Sequence, residues 1–213
     1  MESRMIKIWS REDSRIALKV IDGHFVTPNS HITHYFDMTT LKTRASEARA
    51  VAQLLAQKYS MSTIVDTIVC MDGMEVVGAY LAEELSSAGI RSMNLHETIY
   101  VTAPEFNSAG QIMFRDNLKM MLDKKIVLFL MASANTGKTM QACMESVLYY
   151  GGHLAGVACI FSTINSIAGV EVNSVFRKQD VPHYHSYKPS ECPMCKEKKK
   201  IDALVNGFGY SKI

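Results

Sequence analysis

The chain alternates short dry runs with segments of helical period. Residues 126–130 (Ile-Val-Leu-Phe-Leu) form a wholly apolar run rich in β-favouring side chains. It is too short for a helix and too dry for an edge position, which predicts a buried parallel strand. The polarity then changes abruptly: Ser133, Ala134, Asn135, Thr136, Gly137, Lys138 and Thr139 are small, hydroxylic or conformationally permissive. Met140, Cys143, Met144, Val147 and Leu148 follow at i, i+3, i+4, i+7 and i+8, the stripe of an amphipathic helix that Gly151 and Gly152 bring to an end. A second apolar run at 155–161 completes a β-α-β unit.

The same reading extends along the chain. Ala48, Val51, Ala52, Leu55 and Tyr59 predict a helix over 46–59, with Thr43 or Ser46 as its N-cap. Residues 65–71 form a strand that breaks at Asp72-Gly73-Met74-Glu75. Val77, Leu81, Leu85 and Ala88 then line one face of a helix stopped by Gly89. Residues 90–95 read as a third strand, 102–110 as a long polar loop of the kind that serves as a lid, and 112–114 as a strand returning from it. Before these, 23–27 and 34–37 are short extended pieces joined by a Pro28-Asn29-Ser30 turn; after them, 170–176 and 184–187 are candidate edge strands. Strands alternating with helices predict an α/β fold, Rossmann-like, with a mainly parallel sheet flanked by helices and ligands beyond the C-terminal strand ends, where both polar loops lie. The expected organisation is one compact domain: a small N-terminal segment (1–42), the α/β core (43–180) and a C-terminal tail (181–213).

Bulk properties narrow the partners. A net charge of +2 gives no electrostatic case for nucleic acid, and the cluster Lys196, Lys198, Lys199 and Lys200 reads as a solvated face. The charged N-terminus is no secretory signal and no apolar run approaches the length of a membrane span, so a cytoplasmic location is expected. Cys70, Cys143 and Cys159 fall in apolar segments and read as buried thiols, while Cys192 and Cys195 form a CxxC in the polar tail. Two thiolates three residues apart can chelate one zinc ion; a closed site needs two more ligands, and His183 and His185 are nearby in sequence. His24, His31 and His34 read as hydrogen-bonding residues near a ligand.

The turn after the first strand has a chemical use. Unpaired amides at a helix start, threonine hydroxyls and a lysine suit a phosphate group. Ala132 to Thr139 also meets the loose nucleoside-triphosphatase pattern, with alanine for the first glycine. The following strand, however, offers no acid for magnesium.

The segments taken together resemble type I phosphoribosyltransferases, and within them the orotate phosphoribosyltransferases. Thr136-Gly137-Lys138-Thr139 is similar to the second half of the family's phosphoribosyl pyrophosphate loop. Gly23-His24-Phe25 followed by Tyr35-Phe36-Asp37 resembles its N-terminal hood, and Asp72-Gly73-Met74-Glu75 stands where its pyrophosphate loop belongs. The collinearity holds from about residue 15 to 178. It implies a phosphate cradle at residues 133–139, a base-covering hood with Phe25, His31 and Tyr35, a homodimer, and magnesium if transfer occurs.

Departures from the family fall on catalysis. Met131 and Ala132 replace the two acids that grip the ribose hydroxyls, and residues 98–110 contain no lysine, arginine or histidine to steady departing pyrophosphate. Each lost charged contact of this kind costs about 3 kcal/mol, roughly a hundredfold in rate. Asp72 and Glu75 are the candidate catalytic groups, with Asp116 able to compensate only if the fold brings it close. Two functions follow: a transferase moving ribose 5-phosphate to a pyrimidine-type base, or a catalytically weak protein that senses phosphoribosyl pyrophosphate or a nucleoside 5′-monophosphate.

Overall fold

A computed structural model of the chain describes residues 2–87, 92–95, 98–108, 111–135 and 137–213. In order, the elements are β1 (Met5–Trp9), β2 (Ala17–Val26), β3 (His31–Asp37), α1 (Thr39–Thr43), α2 (Ala45–Ala56), β4 (Thr67–Cys70) and α3 (Glu75–Ser87). They continue with β5 (Tyr100–Thr102), β6 (Glu105–Phe106), β7 (Ile112–Met113), β8 (Ile126–Ala134), α4 (Lys138–Tyr149) and β9 (His153–Ser162). The last are β10 (Ser166–Ile167), β11 (Val170–Arg177), β12 (Ser186–Tyr187), α5 (Pro193–Lys196), β13 (Ala203–Asn206) and β14 (Gly209–Lys212).

The core sheet has the order β10-β11-β9-β8-β4-β5 and is parallel except for β10. Its central strands are dry because both faces are covered. Ile68, Cys70, Leu128, Leu130, Ala132, Ala158 and Ile160 point into one cluster with α2 and α3. Val69, Met71, Val127, Phe129, Met131, Val157 and Cys159 point into another with Met140, Cys143 and Val147 of α4. This is the sequence signature of a parallel strand, near-continuous apolarity with alternating destinations. The second sheet, the hood, has the order β12-β3-β2-β13-β14, with β1 pairing Ala17–Ile21 of β2. Its Phe25, Tyr35 and Phe36 join the α2 and α3 cluster, so the two sheets share one core.

Several expectations change. Helix α2 begins at Ala45 with Arg44 at its cap and no side-chain cap bond; the Thr43 hydroxyl instead donates to Thr39 O at 2.7 Å. Residues 92–95 form a turn rather than a strand, and 90–91 lie outside the described residues, as does the Gly89 stop of α3. Polar side chains explain the turn: the Ser92 hydroxyl donates to Leu85 O, and Asn94 both accepts from Val65 N and donates to Thr63 O. The partner of β4 on that side is β5. Within the expected long loop lies β6, which pairs as a short ribbon with β7, the expected returning strand. Strand β11 is interior, with the edge taken by β10. The largest correction is to β8, which pairs as far as Ser133↔Phe161 and Ala134↔Ser162, so the turn before α4 is much shorter than 132–139.

Tyr59 locks α2 to the sheet: its hydroxyl donates to Val157 O at 2.9 Å and accepts from Asn173 Nδ2 at 3.2 Å, all buried. Tyr59→Phe should lower the unfolding free energy by about 1–2 kcal/mol in urea denaturation. An unchanged midpoint would mean that these bonds do not hold the helix.

Candidate functional site

The C-terminal ends of β4 and β8 open into a cleft of about 370 Å³ roofed by the hood. Its floor is Met131, Ala132, Ser133 and Ala134; Asn135, Gly137 and Thr139 stand at one end. The hood contributes the Thr27–Ser30 turn, Ile32, Tyr35 and Phe36, and the C-terminal segment contributes Val205, Asn206, Gly207 and Phe208.

The end near α4 has the features of an anion site. Thr163 takes up the carbonyls next to the turn, its amide donating to Ala134 O at 3.0 Å and its hydroxyl to Asn135 O at 2.9 Å. The first amides of α4 have no intrahelical acceptors, as at any helix start. Gly137 has φ 73°, a left-handed conformation that favours glycine, and a Cβ there would lie 2.5 Å from Ile167 Cδ1, so that side chain would have to move aside. Ile164 and Ile167 thus cover one side of the turn, while the other faces the cleft. Asn135 Oδ1 is buried without a hydrogen-bond partner among the described residues. Thr139 is exposed at the cleft. Thr136 lies outside the described residues, and of Lys138 only the backbone is described.

The loop after β4 is strained. Asp72 and Gly73 have φ 58° and 77°, consecutive left-handed residues, and the first is no glycine. The Asp72 carboxylate accepts from Ala132 N at 3.4 Å and packs against Gly207, where a Cβ would lie 2.1 Å from its Oδ1. Lys42, from α1, reaches in to donate to Asp72 O at 2.8 Å and Gly207 O at 2.6 Å. One ammonium thereby joins three separate segments. Burial pulls the Lys42 pKa down, opposed by the charges of Asp72, Glu75 and Asp37. Burial pushes the Asp72 carboxyl up, opposed by the Ala132 amide and Lys42.

The structure places the remaining expected residues variously. Tyr35 lines the cleft, its phenol pushed up to about 12 by burial and then by Asp37 and Tyr210. Phe25 is fully buried against Tyr35, with ring centroids 5.9 Å apart, and does not face the cleft. Met74 is fully buried, and Glu75 begins α3 exposed, outside the cleft lining. Asp116 pairs with Lys119 at 2.7 Å on the surface. Lys42, Phe106 and the 205–208 segment were not found from sequence. Lys42 carries no motif, and the tail reads as polar and basic.

His31 lies behind the cleft wall rather than in it. It meets His24, Cys192 and Cys195, and the four ligand atoms all lie within 4.8 Å of one another, a group able to hold a metal ion. His183 and His185, to which the sequence pointed, serve the hood through their backbones, bonding to Thr33. Antiparallel pairing of β2 and β3 brings the histidines together from seven residues apart, which local spacing cannot reveal.

No protein-family model matches the chain. Over 187 residues it is 28% identical to an orotate phosphoribosyltransferase of Chlorobaculum parvum, covering 86% of this chain and 88% of that protein. Its fold matches Leishmania donovani UMP synthase with a TM-score of 0.56 at 16% identity, over 76% of this chain but 34% of the other, about a third of its length. It also matches Mycobacterium tuberculosis orotate phosphoribosyltransferase, solved in complex with Fe(III) dicitrate, with a TM-score of 0.52 at 16% identity, over 77% of this chain and 92% of that one.

The raised Asp72 pKa has a definite sign in stability. Folding favours the neutral carboxyl, so its contribution is fully present below its ordinary 3.8 and is lost as pH rises through the raised folded value. Asp72→Asn cannot ionise and escapes that loss. Measured by denaturation, the variant should gain stability relative to the parent as pH rises; a difference flat across roughly pH 3 to 8 would contradict the buried charge.

Proposed function

We propose that this chain, a phosphoribosyltransferase-like protein of the type I family related to the orotate phosphoribosyltransferases, holds a ribose 5-phosphate-bearing ligand in the cleft between its sheets. The ligand is phosphoribosyl pyrophosphate or a nucleoside 5′-monophosphate, and transfer of its sugar to a pyrimidine-type base is slow. The 5′-phosphate sits against Asn135, Gly137 and Thr139. The base lies under the hood near Tyr35. Any pyrophosphate lies by the strained Asp72-Gly73 turn.

The observation that carries the reading is the cleft floor. Met131 and Ala132 line it, one side chain belonging to each face of the sheet, and neither can accept a hydrogen bond from a ribose hydroxyl. Among the described residues lining the cleft, Lys42 and Asp72 are the charged ones, and each is already engaged with the protein. The β6–β7 ribbon brings Phe106 to the cleft, and Arg115 beside it is paired with Glu105. A developing positive charge at the sugar and a negative one on pyrophosphate therefore meet little fixed charge of opposite sign.

The donor set does not suit magnesium. Asp72 alone among the described cleft-lining residues carries a carboxylate, and it packs against Gly207 and the Ala132 amide, whereas magnesium asks for near-octahedral oxygen ligands. No step is therefore routed through that ion. The triphosphatase alternative loses its geometric basis as well, since Ser133 and Ala134, which would have to wrap a β-phosphate, are paired in β8.

Thermal stabilisation by phosphoribosyl pyrophosphate, ribose 5-phosphate, orotidine and uridine 5′-monophosphates and ATP tests the proposal. Stabilisation by the 5′-monophosphates, weakened about tenfold in apparent affinity by Thr139→Val, is expected. A response to ATP alone, or monophosphate binding that ignores Thr139→Val, would overturn it.

A further inference from the structure

We propose that His24, His31, Cys192 and Cys195 bind one tetrahedral zinc ion that fastens the C-terminal segment to the hood and so fixes two walls of the cleft. Four of the six separations among these atoms are near those of zinc ligands, and all lie within 4.8 Å. With zinc–nitrogen bonds of about 2.0–2.1 Å and zinc–sulfur bonds of about 2.3 Å, tetrahedral geometry places two nitrogens about 3.4 Å apart and nitrogen and sulfur about 3.6 Å apart. Here His24 Nε2 lies 3.1 Å from His31 Nδ1, 3.7 Å from Cys192 Sγ and 3.6 Å from Cys195 Sγ. Cys195 Sγ is also 3.2 Å from His31 Nδ1. Hydrogen bonding is a poor reason for such convergence, because thiols are weak donors and weak acceptors. His24 and Cys192 are almost wholly buried and Cys195 is exposed, which gives an ion a path of entry.

The surroundings fix the ligand atoms. His24 Nδ1 lies 3.0 Å from Lys199 O, and a carbonyl can only accept, so the ring proton sits on Nδ1 and the Nε2 lone pair faces the group. The hood strand aims the histidine by a bulge: the β2–β3 register shifts between Asp22 and Phe25. Gly23 permits the approach of the tail, since a Cβ there would lie 2.4 Å from Asp202 Oδ2. That carboxylate accepts from His24 N at 2.9 Å, and Asp202 N donates to His24 O at 2.8 Å. On the other side, the turn through α5 brings the two thiols together, with Lys196 N donating to Cys192 O at 3.3 Å.

Four protein ligands leave no open position, so the ion is structural rather than catalytic. Two sulfurs and two nitrogens in tetrahedral array select zinc over harder divalent cations. Its position gives it a mechanical role. His31 adjoins Ser30 of the cleft-lining turn, and the chain beyond Cys195 runs through Asp202 into β13, parallel to β2 with Ala203 beside Phe25, and on to Val205–Phe208. The ion thus joins the hood hairpin to the segment that Lys42 also grips. The proposal is independent of which ligand the cleft takes, because its tests read metal and stability.

The tag-free full chain, purified without chelator, should contain about one zinc per chain by inductively coupled plasma mass spectrometry, and Cys195→Ser or His31→Ala should hold less than about a fifth of that. Cobalt exchanged into the parent chain should give the visible bands and sulfur charge-transfer absorption of a tetrahedral thiolate site. Removing the metal with a chelator should lower the melting temperature by roughly 10 °C, reversed by zinc. If the variants fail to fold, the parent chain's metal content and cobalt spectrum still decide. A parent chain that neither contains nor takes up zinc, or one with Cys192 and Cys195 joined in a disulfide, would overturn the proposal.

Discussion

Strand β8 runs through the middle of the parallel sheet with both faces dry, and the place where its pairing stops sets the shape of the cleft. Its pairing with β9 runs as far as Ala134, so only a short turn remains before α4. That turn survives because Thr163 satisfies its carbonyls and Gly137 tolerates both a left-handed backbone and the close approach of Ile167. The same commitment makes the floor apolar. Met131 and Ala132 complete the two hydrophobic clusters that a carboxylate would disturb, since a buried unpaired charge is expensive. Stability of the strand and the apolar character of positions 131 and 132 are in this sense one feature.

The roof depends on contacts between segments far apart in sequence. Lys42 bonds to the carbonyls of Asp72 and Gly207, and the backbones of His24 and Asp202 are tied to each other. The last strands then join the hood sheet beside β2. The cleft is consequently walled by the beginning and the end of the chain and floored by its middle. A zinc ion at His24, His31, Cys192 and Cys195 would tie the first two together behind the wall.

Much of this was legible in sequence where the signal is local. The strand, turn and helix around Gly137 follow from hydrophobic period, and so do β4, α2 and α3. The end of β8 was not legible, because Met131 to Ala134 are small or apolar enough for either strand or loop, and pairing with β9 decides between them. Residues 92–95 were read as part of a strand because a buried asparagine's partners are not visible in sequence: Asn94 holds a turn by bonding the backbone of Val65 and Thr63. The CxxC marked a candidate metal-binding pair, yet the histidines that meet it come from the far end of the chain, and only the β2–β3 pairing and the β13–β2 contact bring them near. Lys42 was invisible as a cleft residue because nothing in its own helix marks it.

On the proposed reading, with phosphate at the Gly137 turn and the sugar above Met131 and Ala132, the cleft should separate binding from turnover. The most direct measurement is pyrophosphate release from phosphoribosyl pyrophosphate with orotate, run beside a conventional orotate phosphoribosyltransferase at saturating substrate. We predict saturable binding with release at least about a hundredfold slower than in the comparator. Release at a comparable rate would contradict the reading of the cleft floor.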